Sequence, residues 1–218
     1  MEVVVPIRAV VFDVGETIMN DTTSWGSWAD WFGIPRHTVS GLVGAVTALG
    51  IDNVEALKML KPGFDLEVER AKREASGHGE SVTEDDLYPD ARPALKELRE
   101  AGLWVGIAGN QTARIGELLR ALELSVDGIA MSGQWQVEKP DQEFFARIAD
   151  WVPAAPEEIV YVGDHRDNDI IPAKAFGMRT AHVRRGPWGY LYAGDPALKA
   201  AADWQVDSLL ELRSLIQP

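Results

Sequence analysis

Two aspartates five residues apart, Asp164 and Asp169, carry the strongest chemical signal in this chain. The first follows the apolar run Ile159-Val160-Tyr161-Val162-Gly163, and the second opens a segment with helical character. A third, Asp13, ends the β-branched run Ile7-Arg8-Ala9-Val10-Val11-Phe12 and precedes a glycine-containing turn. Apolar runs of this length read as buried parallel strands. In open α/β sheets the ligand crevice lies beyond the carboxyl ends of such strands. Three carboxylates converging there would repel one another, so a hard divalent cation is expected between them, and oxygen-only ligands favour Mg²⁺ over zinc. Taken separately, Asp13 reads as a loop or helix-capping residue, and Asp164 with Asp169 could simply decorate a helix start.

Strands and helices must deliver these groups to one place, and the pattern of the chain divides in two. Helical periodicity dominates residues 19–86, with expected helices from the Thr22-Thr23-Ser24 start through Phe32, over 39–49, over 54–60 and over 64–75. From Tyr88 onward strands alternate with helices. Strands are expected at 103–108, 128–131, 158–162 and 179–183; helices at 90–101, 112–122, 142–151, 168–176 and 207–216. That alternation predicts an α/β fold: a Rossmann-like parallel sheet core formed by 1–18 and 87–218, with a small all-helical cap inserted over 19–86. An insert following the strand that carries Asp13 is expected to lie over the crevice.

The chain has 218 residues, 46% hydrophobic and 25% charged, an ordinary globular composition. Lys and Arg number 21 against 34 Asp and Glu, giving a net charge of −13. Such a surface disfavours nucleic acid and anionic membranes, yet a metal and one lysine can still invert the field for a phosphate. Cysteine is absent, which excludes disulfides, thiolate catalysis and Cys-bound zinc. The first six residues lack a basic flank and a long apolar core, and no later run reaches spanning length, so a cytoplasmic protein is expected.

The ordered set Phe12-Asp13, Gly109-Asn110, Lys139-Pro140-Asp141 and Gly163-Asp164 to Asn168-Asp169 resembles the haloacid dehalogenase-like (HAD) hydrolase superfamily, as does Tyr88-Pro89-Asp90 before the first core helix. The resemblance covers nearly the whole core, whereas the insert matches only in position and helicity. It implies that Asp13 is a nucleophile forming an aspartyl-phosphate, and that Mg²⁺ is held by Asp13, the Gly15 carbonyl and Asp164. It also implies that Lys139 neutralises nucleophile and phosphoryl oxygens, while Asp169 supports the metal shell and positions Lys139. Gly109 and Asn110 would bind the phosphoryl group. The implied activity is Mg²⁺-dependent hydrolysis of a small phosphorylated metabolite; a phospho-ligand binding protein with little turnover is the alternative.

Two positions depart from the family pattern. The residue two after the nucleophile, usually an aspartate acting as general acid and base, is Gly15, and the next, usually glycine, is Glu16. Glu16, or an insert acid such as Asp21, is expected to supply the proton; otherwise Glu16 is a turn residue and hydrolysis is slow. The second-strand Ser or Thr is replaced by Gly109, leaving backbone N–H groups and the Asn110 side chain to bind phosphate, unless Asn110 caps the helix near Thr112. Gly163-Asp164 argues against metal-free dehalogenation. Phosphonate cleavage would use an insert lysine, Lys58 or Lys61, but a lysine on an exposed helix is usually only solvated. Of eight tryptophans, Trp25, Trp28, Trp31, Trp135 and Trp188 could grip a leaving group but more commonly pack in cores, and the Trp-rich insert could bury a homodimer contact. Arg184 and Arg185 could reach a second anionic group, and His165 could touch substrate.

Overall fold

The computed structural model describes residues 5–216; the first four residues, part of the N-terminal stretch read above, and the last two lie outside the described residues. The chain forms two compact units, one of residues 1–20 with 83–218 and one of residues 21–82.

The larger unit is built on six parallel strands in the order β3-β2-β1-β4-β5-β6. These are β1 (Ala9–Phe12), β2 (Trp104–Gly109), β3 (Gly128–Met131), β4 (Ile159–Gly163), β5 (Arg179–Val183) and β6 (Trp204–Val206). All four residues of β1 are fully buried, as its unbroken apolar run requires of a central strand. Sequence order runs outward from β1 in both directions, so the strand order reverses between β1 and β4, the place where such sheets form their crevice. Phe12 pairs with Val162 across that gap, which sets Asp13 level with Gly163 and one residue short of Asp164.

Helices fill the crossovers. Numbered along the whole chain, those of this unit are α5 (Ala91–Glu100), α6 (Ala113–Ala121), α7 (Ser132–Trp135), α8 (Gln142–Trp151), α9 (Ile171–Phe176), α10 (Gly186–Tyr192), α11 (Pro196–Ala201) and α12 (Leu212–Ile216). Phe144, Phe145 and Ile148 of α8 pack on Ala9, Val11 and Tyr161 of the sheet. Trp104, Trp135 and Trp151 meet edge to face around them, so these rings are core rather than ligand grips.

Two expected helices come out differently. The segment at 168–176 begins as a wide turn over Arg166–Ile170, in which Asp169 and Ile170 both donate their N–H to the His165 carbonyl. The closing helix expected at 207–216 is shortened: a three-residue edge strand, β6, precedes it, a tight turn covers Leu209–Glu211, and α12 occupies only the end. Strand β6 is too short for a period to show. The brief helices α7, α10 and α11 also lie where no helix was expected, each spanning four to seven residues.

The smaller unit consists of α1 (Thr22–Phe32), α2 (Arg36–Ala48), α3 (Val54–Leu60) and α4 (Leu66–Ala75). Trp28, Val39, Val43, Val46, Leu57 and Phe64 form its core. Glu69 is buried there and accepts from Trp31 Nε1 at 3.0 Å and from Lys72 Nζ at 2.6 Å, with Lys61 Nζ at 2.9 Å. Bonds from Lys61, Lys72 and Trp31 hold its carboxyl down at about 2. The segments at either end of this unit belong to the larger one. Met19 bridges to Gly15 and Leu87, and Asn20 donates its N–H to Asp86 O. That places the division at 21–82 against the 19–86 expected. Among the described residues no helix is long and apolar enough to cross a membrane.

Candidate active site

The loop after β1 is wound around one carbonyl: the N–H groups of Thr17, Ile18 and Met19 all donate to Val14 O. Asp13 enters it with its own N–H bonded to Val162 O at 2.8 Å, so its backbone is pinned to β4. Its carboxylate lies with those of Asp164 and Asp169 in one buried cluster, ligand oxygens within 4.8 Å of one another. Glycine makes this crowding feasible. A Cβ at Gly109 would lie 2.3 Å from Asp13 Oδ1, and one at Gly163 would lie 2.2 Å from Asp169 Oδ2.

Lys139 is the counter-charge. Its Nζ donates to Asp13 Oδ1 and to Asp169 Oδ1, each at 2.6 Å, while the side chain is almost wholly buried. Burial alone would favour the neutral amine, but Asp13 and Asp169 together hold its pKa well above the usual lysine range. The Tyr161 ring lies 5.6 Å beneath Nζ and its hydroxyl donates to Ala108 O. Asp169, fully buried, uses its second oxygen to accept from His165 N at 2.9 Å. Both of its oxygens are thus engaged in holding Lys139 and the loop.

Asp164 is different. Its Oδ2 is buried without a hydrogen-bond partner among the described residues. Burial, then the charges of Asp169, Asp13 and Glu16, push its pKa well up. Asp13 is raised to about 6, by burial first, with Lys139 opposing and Asp169 adding. An acceptor-only group left unpaired among like charges is a costly arrangement for a protein by itself. A divalent cation would satisfy it, and an all-oxygen donor set suits Mg²⁺. The residues present therefore fit the expected metal: Asp13 and Asp164 as ligands, with Gly15 two residues after Asp13 in the same turn and Asp169 in the same cluster, bonded to Lys139.

The remaining expected residues are placed as follows. Asn110 does not cap α6, whose first turn is capped by Thr112 accepting from Ile115 N at 3.2 Å. Its side-chain amide is bound instead to the backbone of Lys139. Glu16 adopts φ +50°, and its Oε2 accepts from the Tyr88 hydroxyl. Burial first, and then this bond, keep that hydroxyl protonated. Arg184 is exposed and paired with Asp207, whereas Arg185 is buried against Asp90, the Thr17 carbonyl and the Tyr88 ring. The His165 ring lies against Trp188, centroids 4.1 Å apart and planes tilted by 32°, and its Nδ1 accepts from the N–H groups of Asp167 and Asn168. Burial lowers its pKa to about 4, so the ring is neutral with the proton on Nε2.

Tyr161 and His182 carried no functional expectation, yet both touch the site: His182 is buried with Nε2 3.1 Å from the Asp164 carbonyl. For Tyr161 the available signal was a polar ring inside the otherwise apolar β4, which must find a partner when buried; His182 lies in a strand that also holds Arg179 and Thr180 and carried no such signal.

A family model described as haloacid dehalogenase-like hydrolase matches residues 7–177. A glyceraldehyde 3-phosphate phosphatase of Methanopyrus kandleri is 35% identical over 105 residues, covering 46% of this chain and 45% of its own length. Another of the same name, from Methanocaldococcus jannaschii, is 32% identical over 133 residues, covering 60% of this chain and 56% of its own. The chain thus spans about half the length of these curated relatives. A HAD-hydrolase of Bacillus subtilis, solved bound to magnesium, superposes with a TM-score of 0.71 at 18% identity, covering 98% of this chain and 100% of its own.

Proposed function

Because the chain belongs to the haloacid dehalogenase-like hydrolase family, we propose that it hydrolyses a small phosphorylated metabolite with the help of Mg²⁺. The reaction would pass through a phosphoryl group carried on Asp13. The observation that carries this reading is the buried cluster of Asp13, Asp164 and Asp169 around Lys139, with Asp164 Oδ2 unpaired. The relatives named as glyceraldehyde 3-phosphate phosphatases support a small phosphomonoester as the substrate class. A surface of net charge −13 speaks against nucleic acid as a partner.

A magnesium ion held by Asp13, the Gly15 carbonyl and Asp164 would supply positive charge to the phosphoryl oxygens. The chain does the rest. A carboxylate oxygen of Asp13 attacks phosphorus, the bond from phosphorus to the leaving oxygen breaks, and an acyl phosphate forms. Lys139 holds Asp13 in place and offsets the charge that gathers on the transferred group. The backbone N–H groups at Gly109 and Asn110, at the end of β2, are the donors for its remaining oxygens. Water then attacks phosphorus, releasing phosphate and restoring Asp13. Glu16 is the group we assign to protonate the leaving oxygen and to take the proton from that water, its carboxylate steadied by Tyr88.

A screen of phosphorylated metabolites for phosphate release, with Mg²⁺ and with a chelator, tests this reading. Steady turnover that needs Mg²⁺ and is abolished by Asp13→Asn is the expected result. Tight binding of a phosphorylated ligand with no release would mark the protein as a binder and overturn the hydrolase reading.

A further inference from the structure

The side-chain amide of Asn110 makes two bonds to a single residue. Nδ2–H donates to the Lys139 carbonyl at 2.9 Å, and Oδ1 accepts from the Lys139 N–H at 2.8 Å. This is the pairing one strand residue offers another, supplied here by a side chain. It ties the end of β2 to the loop between α7 and α8. That loop has no sheet neighbour to hold it, yet Lys139 must place one atom 2.6 Å from both Asp13 and Asp169.

We propose that Asn110 is a positioning residue: it fixes the backbone of Lys139 so that the ammonium falls between Asp13 and Asp169, and it acts on the reaction through Lys139 rather than through the substrate. Residue chemistry supports the choice of asparagine. An amide carries a donor and an acceptor on one planar head, the complement of a peptide N–H and C=O. An aspartate keeps the acceptor but loses the donor and sets a charge against the carbonyl. A serine cannot span both. These bonds take one N–H and one lone pair of the amide, and both heteroatoms are turned to Lys139. The side chain thus serves the Lys139 backbone, and whether its second N–H also meets phosphate is read from the phosphate inhibition constant below.

The inference rests on the proposed hydrolysis for its kinetic consequence, but not for its physical one. Two measurements separate them, both on the full chain with Mg²⁺ present, for wild type, Asn110→Ala and Asn110→Asp. The first is the rate at which Lys139 reacts with an amine-modifying reagent, read by peptide mass spectrometry. Release of both bonds should raise it about tenfold or more in Asn110→Ala, with the melting temperature lowered by about 2–10 °C and the fold retained. Asn110→Asp, close in shape, should show an intermediate rate and serves if the alanine variant does not fold. The second is steady-state hydrolysis of an aryl phosphate, with inorganic phosphate as inhibitor. Misplacing Lys139 should lower kcat about tenfold to hundredfold. KM and the inhibition constant for phosphate should move less than about threefold, as a loss felt in the transition state requires.

Unchanged Lys139 labelling in both variants overturns the proposal. So does a large rise in the phosphate inhibition constant with kcat retained, which would place the amide on the ligand itself. If wild type releases no phosphate while labelling responds as expected, the hydrolase reading falls and the positioning role stands.

Discussion

The ammonium of Lys139 stands 2.6 Å from Oδ1 of Asp13, joining residues 126 positions apart in the chain. The lysine is the positive charge within a cluster of three buried carboxylates, bonded to two of them. Removing one partner of a buried pair leaves the other uncompensated, which typically costs about 3–5 kcal/mol. Lys139→Met, close in volume, should therefore lower stability in urea titrations without Mg²⁺ by about that amount and abolish phosphate release. A variant as stable as wild type would show that the pair is not held in solution.

Asp164→Asn is expected to act in the opposite sense on the metal-free protein. The carboxylate it removes has an unpaired buried oxygen and lies among like charges that raise its pKa. Neutralising it should raise the melting temperature in EDTA by about 2–4 °C, the shift that 1 kcal/mol produces in a chain of this size. Wild type should gain stability on adding Mg²⁺, and the variant should gain little. Equal Mg²⁺ stabilisation of both proteins would exclude Asp164 as a ligand.

Stability should also depend on pH in a direction set by Asp13. Its carboxyl is raised from 3.8 to about 6, chiefly by burial. Between those values the folded protein holds a proton that the unfolded chain has released, so ionisation costs more in the folded state. The stabilising contribution is complete below pH 3.8 and is lost as pH rises through about 6. Asp164, raised in the same direction, adds to the trend. Chemical denaturation in EDTA from pH 4 to 7 should show this group's contribution falling, seen as the difference between wild type and Asp13→Asn. Saturating Mg²⁺ should reverse the slope, because metal binding requires the ionised carboxylates.

Glu16 is seated by a glycine on another element. A Cβ at Gly186, itself at φ +57°, would stand 2.4 Å from Glu16 Cγ. Gly186→Ala should cost about 1–2 kcal/mol for the backbone alone and should also displace the carboxylate from Tyr88. If Glu16 is the proton donor, Glu16→Gln should slow alkyl phosphate hydrolysis about 10²-fold or more, while an aryl phosphate with a good leaving group is nearly spared. Gly186→Ala should follow the same leaving-group pattern more weakly. Equal loss on both substrates would assign Glu16 a structural role in the turn.

The sequence by itself determined the parallel core and the identity of its acids. Asp13 and Asp164 end unbroken apolar runs, and a run that is buried on both faces can only be a central strand whose end opens on the crevice. Asp169 was legible for the same reason, as the start of the helical segment that follows. Pairings across the fold were not. The bonds from Tyr88 to Glu16, Asn110 to Lys139 and His182 to Asp164 link residues separated by 72, 29 and 18 positions. No spacing rule connects them, because a side chain's partner is set by which strand ends the sheet order brings together. Nor could spacing show that the Asn110 amide meets the Lys139 backbone or that Arg184 and Arg185 pair with Asp207 and Asp90, partners that only the assembled sheet supplies.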